Sequence, residues 1–184
     1  MQQPQEDSRI DKKKVLSVLD KLDKNLRGIQ RKIKIYCIGG TALTFSNIRN
    51  NSKDIDFIVS REDFRALSGH VADIEYKEKI RIDIFLDGEL PDYQYKGYTK
   101  NSRPLNIHFE NLELYVLDEI DLLLTKILSG RPEDLLDIKK MGVSKEILRK
   151  DKLIQRYQEI KIDQEKEGII RKKFEDFIKK FYGS

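Results

Sequence analysis

With 184 residues, of which 36 are Lys or Arg and 32 are Asp or Glu, the chain is 37% charged and 39% hydrophobic, enough for one globular domain, or for a compact domain with a helical appendage, and too short for two large ones. No run approaches the roughly 18 apolar residues of a membrane span, and the first 34 residues lack the apolar stretch of a signal peptide, so a cytoplasmic protein with no membrane partner is expected. A single cysteine, Cys37, and two histidines, His70 and His108, exclude an internal disulfide framework and a thiolate or histidine-rich metal cluster, which leaves carboxylates to hold any metal.

Residues 1–10 show no hydrophobic period and are expected to be a mobile N-terminus. From Asp11 to Lys32 the residues Val15, Leu16, Leu19, Leu22, Leu26 and Ile29 recur at three- and four-residue steps, predicting an amphipathic helix packed on the body. Short Ile-rich runs follow, each bounded by turn residues and each read as a strand: Ile33 to Ile38 before Gly39-Gly40, Ile55 to Val59 after Asn50-Asn51-Ser52, and Arg81 to Leu86 before Asp87-Gly88. Thr41 to Ile48 reads as a short helix, Arg61 to Val71 as a second, and Ala72 to Tyr76 as a strand. Residues 88–104, rich in Tyr, Gly, Pro and Asn, read as a loop of functional length, and Leu105 to Phe109 with Leu112 to Val116 as a hairpin around Glu110-Asn111. Beyond Leu117 the helical period returns through Ile120, Leu123, Leu124, Ile127 and Leu128. It stops at Gly130, resumes after Arg131-Pro132 and ends at Met141-Gly142; the charged remainder to Phe181 reads as helical with a break near Gly168. The predicted fold class is α/β (α+β): a small mixed sheet with flanking helices over 11–116, then a helical region over 117–184 that completes the site.

The chemistry concentrates in Ile38-Gly39-Gly40-Thr41 and, after a loop, Asp54-Ile55-Asp56. Residues two apart on a strand face the same way, so Asp54 and Asp56 project together from an apolar segment. Two adjacent carboxylates repel and are costly to desolvate unless a cation sits between them, and hard oxygen ligands of this kind suit Mg²⁺. A glycine pair between strand and helix lets the backbone approach a ligand closely, and the amides that follow favour phosphate. Asp83 interrupts another apolar strand; a neighbour to the first pair, it would complete a metal site and accept a proton from an attacking hydroxyl. Taken singly, a Gly-Gly turn, an Asp-x-Asp strand end or an Asp83 paired with Arg81 or Arg49 is ordinary structure. Their conjunction points to a shared task.

That conjunction resembles the polymerase-beta-type nucleotidyltransferase superfamily. The resemblance implies that Gly39, Gly40 and Thr41 contact the triphosphate of an NTP, that Asp54, Asp56 and Asp83 are catalytic and bind Mg²⁺, with Mn²⁺ as a substitute, and that the sheet is the small mixed nucleotidyltransferase sheet. The stretch from Glu119 to Ile138 further resembles a block of AbiEii-like and minimal nucleotidyltransferases, including toxins of type IV toxin–antitoxin systems, with matching positions at Lys126, Arg131, Asp134 and Asp137. It implies a catalytic, nucleotide-gripping Lys126, nucleotide-binding roles for Asp134 and Asp137, an RNA acceptor such as the 3′ end of tRNA, and a cognate antitoxin. Lys53 stands where relatives often carry Thr and joins the nucleotide-binding set.

Several other residues leave more than one reading. Lys126 sits among Leu and Ile, where either a triphosphate, an Asp134 or Asp137 carboxylate, or solvent takes its ammonium. Arg49 either reaches a phosphate or orients Asp54. Tyr93, Tyr95 and Tyr98 either stack on bases or pack onto the body. Cys37 and the two histidines read as structural. Residues 1–34, 35–144 and 145–184 carry net charges of +5, −5 and +4, an acidic middle between basic flanks that either attract a polyanion or are simply solvated. The acceptor stays open among RNA, a protein hydroxyl and a small molecule, beside a non-catalytic binding module.

Overall fold

A computed structural model describes residues 9–142 and 150–183. The expected mobile N-terminus falls mostly on residues 1–8, outside the described residues. Its Ile10 is not free: it is 2% exposed and lies in β1 (Ile10–Asp11). Asp11 accepts a hydrogen bond from the Lys14 amide at 2.8 Å and caps α1 (Lys12–Asn25), which buries the stripe of Val15, Val18, Leu19 and Leu22. The helix ends seven residues before Lys32 because the chain turns at Gly28, whose φ of +100° continues no helix.

The next elements are β2 (Ile33–Cys37), α2 (Gly39–Phe45), β3 (Asn51–Ser52), β4 (Ile55–Val59), α3 (Arg61–Glu78) and β5 (Ile82–Leu86). Ser60 caps α3 by accepting from the Asp63 amide at 3.0 Å. That helix runs straight through the strand expected at Ala72–Tyr76. Ile74 alternates with polar neighbours, yet it also continues the stripe of Leu67 and Val71, and packing on α1 decides in favour of the helix.

The segment read as a loop over 88–104 holds β6 (Glu89–Leu90), β7 (Tyr93–Tyr95), α4 (Tyr98–Asn101) and β8 (Arg103–Pro104). Of the expected hairpin, β9 (Leu112–Val116) forms, and its partner is β8 with the Leu105 amide bonded to the Leu114 carbonyl at 2.8 Å. Ile107 then bonds back to the Leu105 carbonyl, curling the chain off the sheet before Phe109. The C-terminal part comprises α5 (Glu119–Ser129), α6 (Asp134–Met141), α7 (Lys150–Gln158), β10 (Ile160–Ile162) and α8 (Glu167–Tyr182). It is not purely helical: β10 pairs antiparallel with β7, placing Ile160 opposite Tyr95, and with β6 makes a three-stranded sheet.

The main sheet has five strands in the order β5-β4-β2-β9-β8. Its central β2 pairs antiparallel with β4 and parallel with β9, and Ile33 and Ile35 on it are fully buried. The architecture is thus mixed α/β, as expected. Helix α5 packs against α2, α6, α7 and α8, which brings the C-terminal helices to the Gly-Gly end of β2. Among the described residues no helix is long and apolar enough to cross a membrane.

Candidate active site

Strands β4 and β5 are parallel neighbours with Asp56 directly opposite Asp83. Asp54 stands two residues before Asp56, at the bend that opens β4, and one carboxylate oxygen from each of the three lies within 4.8 Å of the others. The predicted juxtaposition of Asp83 with the Asp54–Asp56 pair therefore exists in the fold. Burial, then the charges of Asp54 and Asp83, push the Asp56 carboxyl up to about 7, against the opposing pull of Lys126 and of the Gly40 amide that hydrogen-bonds it. A trio of converging carboxylate oxygens, one of them resisting ionisation for want of positive charge, is the donor set that a hard divalent cation such as Mg²⁺ or Mn²⁺ satisfies. Asp83 also accepts from Arg81 Nε at 2.9 Å, on the exposed rim.

The Gly-Gly turn is fitted against these acids. Gly39 has φ +55°, and a Cβ there would stand 2.6 Å from Asp56 Oδ2. A Cβ on Gly40 would overlap the buried Ser52 hydroxyl and approach Arg49 Nη1 to 3.6 Å. Thr41 is fully buried; its hydroxyl accepts from the Asp56 amide at 2.9 Å and donates to the Asp54 carbonyl at 3.3 Å. The Thr41 hydroxyl thus bolts α2 to the strand carrying the acids, while the triphosphate contact expected of this residue is one of its backbone amide.

Opposite the acids, α5 brings in Lys126, whose side chain is 11% exposed. Its Nζ lies 2.6 Å from Asp134 Oδ1 and 3.0 Å from Asp137 Oδ2, so the structure places it with the carboxylates of α6 rather than in solvent. Burial works to raise the Asp134 carboxyl, but hydrogen bonds from Lys126 and the Ser129 hydroxyl outweigh it and hold the group below its ordinary range. Arg49 donates to Asp137 at 3.2 Å; it orients neither Asp54 nor any other member of the acidic trio. Asp134 and Asp137 were expected to bind nucleotide. Buried carboxylates would repel a phosphate, and here they pair with Lys126 and Arg49, which line the cavity.

A cavity of about 570 Å³ joins these groups. Gly39, Gly40, Arg49, Lys53, Asp54, Asp56, Asp83, Lys126 and Asp134 all line it, whereas Thr41 and Asp137 stand behind the wall. Sequence reasoning missed Ser129, which bonds both Asp134 and Arg131, and the apolar flank of Leu90 and Pro91. Nothing in the local pattern marks them, since the turns after α5 and β6 bring them in. The three loop tyrosines are buried: Tyr95 and Tyr98 pack onto the body away from the cavity, while Tyr93 lines its wall. Cys37 is buried on β2, its thiol pushed up to about 12 by burial and by Asp56.

Residues 13–182 match the sequence profile of a family described as "Nucleotidyltransferase of unknown function (DUF6036)". Among solved structures the chain is similar to the crystal structure of an antigenic nucleotidyltransferase-like protein from Paracoccidioides brasiliensis, with 14% identity and a TM-score of 0.47 over 73% of this chain and 78% of that one. Among curated proteins none matches.

Proposed function

Since the chain belongs to the DUF6036 family of nucleotidyltransferases, we propose that it transfers a nucleoside monophosphate from an NTP to an acceptor hydroxyl in a reaction that needs a divalent cation. The observation that carries this reading is the register of β4 and β5, which converges Asp54, Asp56 and Asp83 beside the Gly-Gly turn. When bound by those carboxylates, Mg²⁺ or Mn²⁺ supplies the positive charge that neutralises the triphosphate and the departing pyrophosphate. The chain's own residues do the rest. The Gly39–Gly40 backbone admits the phosphates closely, and Lys126, Arg49 and Lys53 face them with positive charge. The acceptor oxygen forms a bond to the α-phosphorus as the bond from that phosphorus to its bridging oxygen breaks, and the electron pair leaves with pyrophosphate. Asp83 takes the hydroxyl proton and passes it to solvent.

The finer reading is an AbiEii-like toxin acting on RNA such as the tRNA 3′ end and restrained by a cognate antitoxin. It draws support from the block from Lys126 to Asp137 and from the basic flanks. Transfer to a protein or small molecule and a non-catalytic binding role are its rivals. Incubation of the protein with each α-labelled NTP, Mg²⁺ and cell extract decides among them by whether label enters RNA, protein or small molecules. Replacing Asp54→Asn and Asp56→Asn together should lower transfer by about a thousandfold or more with the urea unfolding transition retained. Transfer at the wild-type rate in that variant would overturn the assignment. No label transfer by the wild type, with no metal-dependent NTP binding by calorimetry, would leave the binding module.

A further inference from the structure

Beside the cleft lies a second cavity, of about 330 Å³, lined by Arg9, Ile48, Arg49, Asn50, Asn51, Lys53 and Lys140. Arg49 and Lys53 line both hollows, so the two adjoin. Three pieces of chain meet to make it. Arg9 precedes β1, whose antiparallel pairing with β3 (Ile10 opposite Ser52) carries it towards Lys53; Asn50 to Lys53 run through β3 into the bend before β4; and Lys140 lies in the last turn of α6, three residues after the Asp137 that holds Arg49. No carboxylate lines this hollow among the described residues, and Lys53 and Lys140 have no ion-pair partner among them.

Lys53 and Lys140, with the Asn50 and Asn51 carboxamides between them and no lining acid among the described residues, form a site for a hydrogen-bonding anion, and the volume far exceeds what one water fills. On the cleft side the triphosphate has the Gly-Gly turn, Lys126 and the shared Arg49 and Lys53, whereas Asn50, Asn51 and Lys140 line the second hollow alone. Those residues, outside the lining of the cleft, serve a different phosphate. We infer that the hollow is a second phosphate-binding site and that it holds a phosphate group of the acceptor, which makes the acceptor a phosphorylated molecule rather than an unmodified protein hydroxyl. Phosphate binding here stands by itself; its assignment to the acceptor rests on the transferase reading above.

Lys140 and Lys139 are both exposed, and only Lys140 lines the hollow, so Lys140→Glu tests the site and Lys139→Glu controls for net charge. The full chain is titrated with inorganic phosphate in EDTA and followed by backbone amide NMR. Shifts are expected at Asn50, Asn51, Lys53 and Lys140, with affinity about tenfold weaker in Lys140→Glu and unchanged in Lys139→Glu. Shifts confined to Gly39–Thr41, or equal affinity in Lys140→Glu, would overturn the site. In labelled transfer, Lys140→Glu should raise the acceptor KM about tenfold and leave the NTP KM unchanged. A rise in NTP KM instead would assign the hollow to the nucleotide's own phosphates and overturn the acceptor assignment. Phosphate binding here by a wild type that transfers no label would support the site and sink the transferase reading alone.

Discussion

Gly39 does two things that no other residue could do at once. It adopts φ +55°, and it leaves room for Asp56 Oδ2, which would stand 2.6 Å from any Cβ. Gly39→Ala should cost about 1 kcal/mol of stability for the left-handed backbone, a modest loss. The larger effect should fall on the metal: Asp56 must move, and Mn²⁺ affinity measured by EPR should drop about tenfold or more. Unchanged affinity would mean that Asp56 is not a ligand in the position observed. At this scale most of the site was legible, because strand alternation and the Gly-Gly signature act over a few residues and need no knowledge of the fold. The roles of Asp134 and Asp137 were not. Whether a carboxylate faces the ligand or holds a cation beside it depends on which neighbour is packed against it, here the ammonium of Lys126.

Between elements, the least legible feature was the junction that ties the C-terminal helices to the small sheet. Asp121 on α5 is 1% exposed; its carboxylate accepts from the Tyr95 hydroxyl of β7 at 3.0 Å and lies 3.2 Å from Arg156 Nε of α7. Tyr-Gln-Tyr and Ile-Lys-Ile alternate as strands should, but each spans only three residues, and neither pairing is visible until the chain brings β7 and β10 together. The same helix carries Lys126 five residues further along, so the junction sets the cation side of the cleft. Burial, then the charge of Asp118, push the Asp121 carboxyl up to about 7, while Tyr95 and Arg156 oppose the rise. Arg156→Ala should therefore cost about 3 kcal/mol in urea unfolding at pH 8, where a buried Asp121 charge loses its partner. At pH 5 the carboxyl is protonated and the loss should shrink to about 1 kcal/mol. Equal losses at the two pH values would show that Arg156 stabilises by packing alone.

For the molecule as a whole, Asp56 and Asp121 impose one pH dependence with two separable parts. Both carboxyls titrate near 7 in the folded chain and near 4 when unfolded, so between those limits the folded state binds more protons. Stability in EDTA is then fully present below about pH 4 and declines as pH rises towards 7, by on the order of 2 kcal/mol for each group. Divalent metal changes only one part. Bound by Asp54, Asp56 and Asp83, it should favour the ionised Asp56 and raise stability at pH 8 by about 2.7 kcal/mol at a hundredfold excess over its Kd. The decline belonging to Asp121 should persist, because that carboxylate is satisfied by Tyr95 and Arg156 and does not belong to the metal-holding trio. In the Asp54→Asn/Asp56→Asn variant, thermal melts across pH 5 to 8 should keep the Asp121 part, lose the Asp56 part and respond to neither Mg²⁺ nor Mn²⁺. A flat profile in EDTA would contradict the burial of both carboxyls. An equal metal response in wild type and variant would place the cation outside the acidic trio, and with it the origin of the net −5 charge that distinguishes residues 35–144 from their basic flanks would need another explanation.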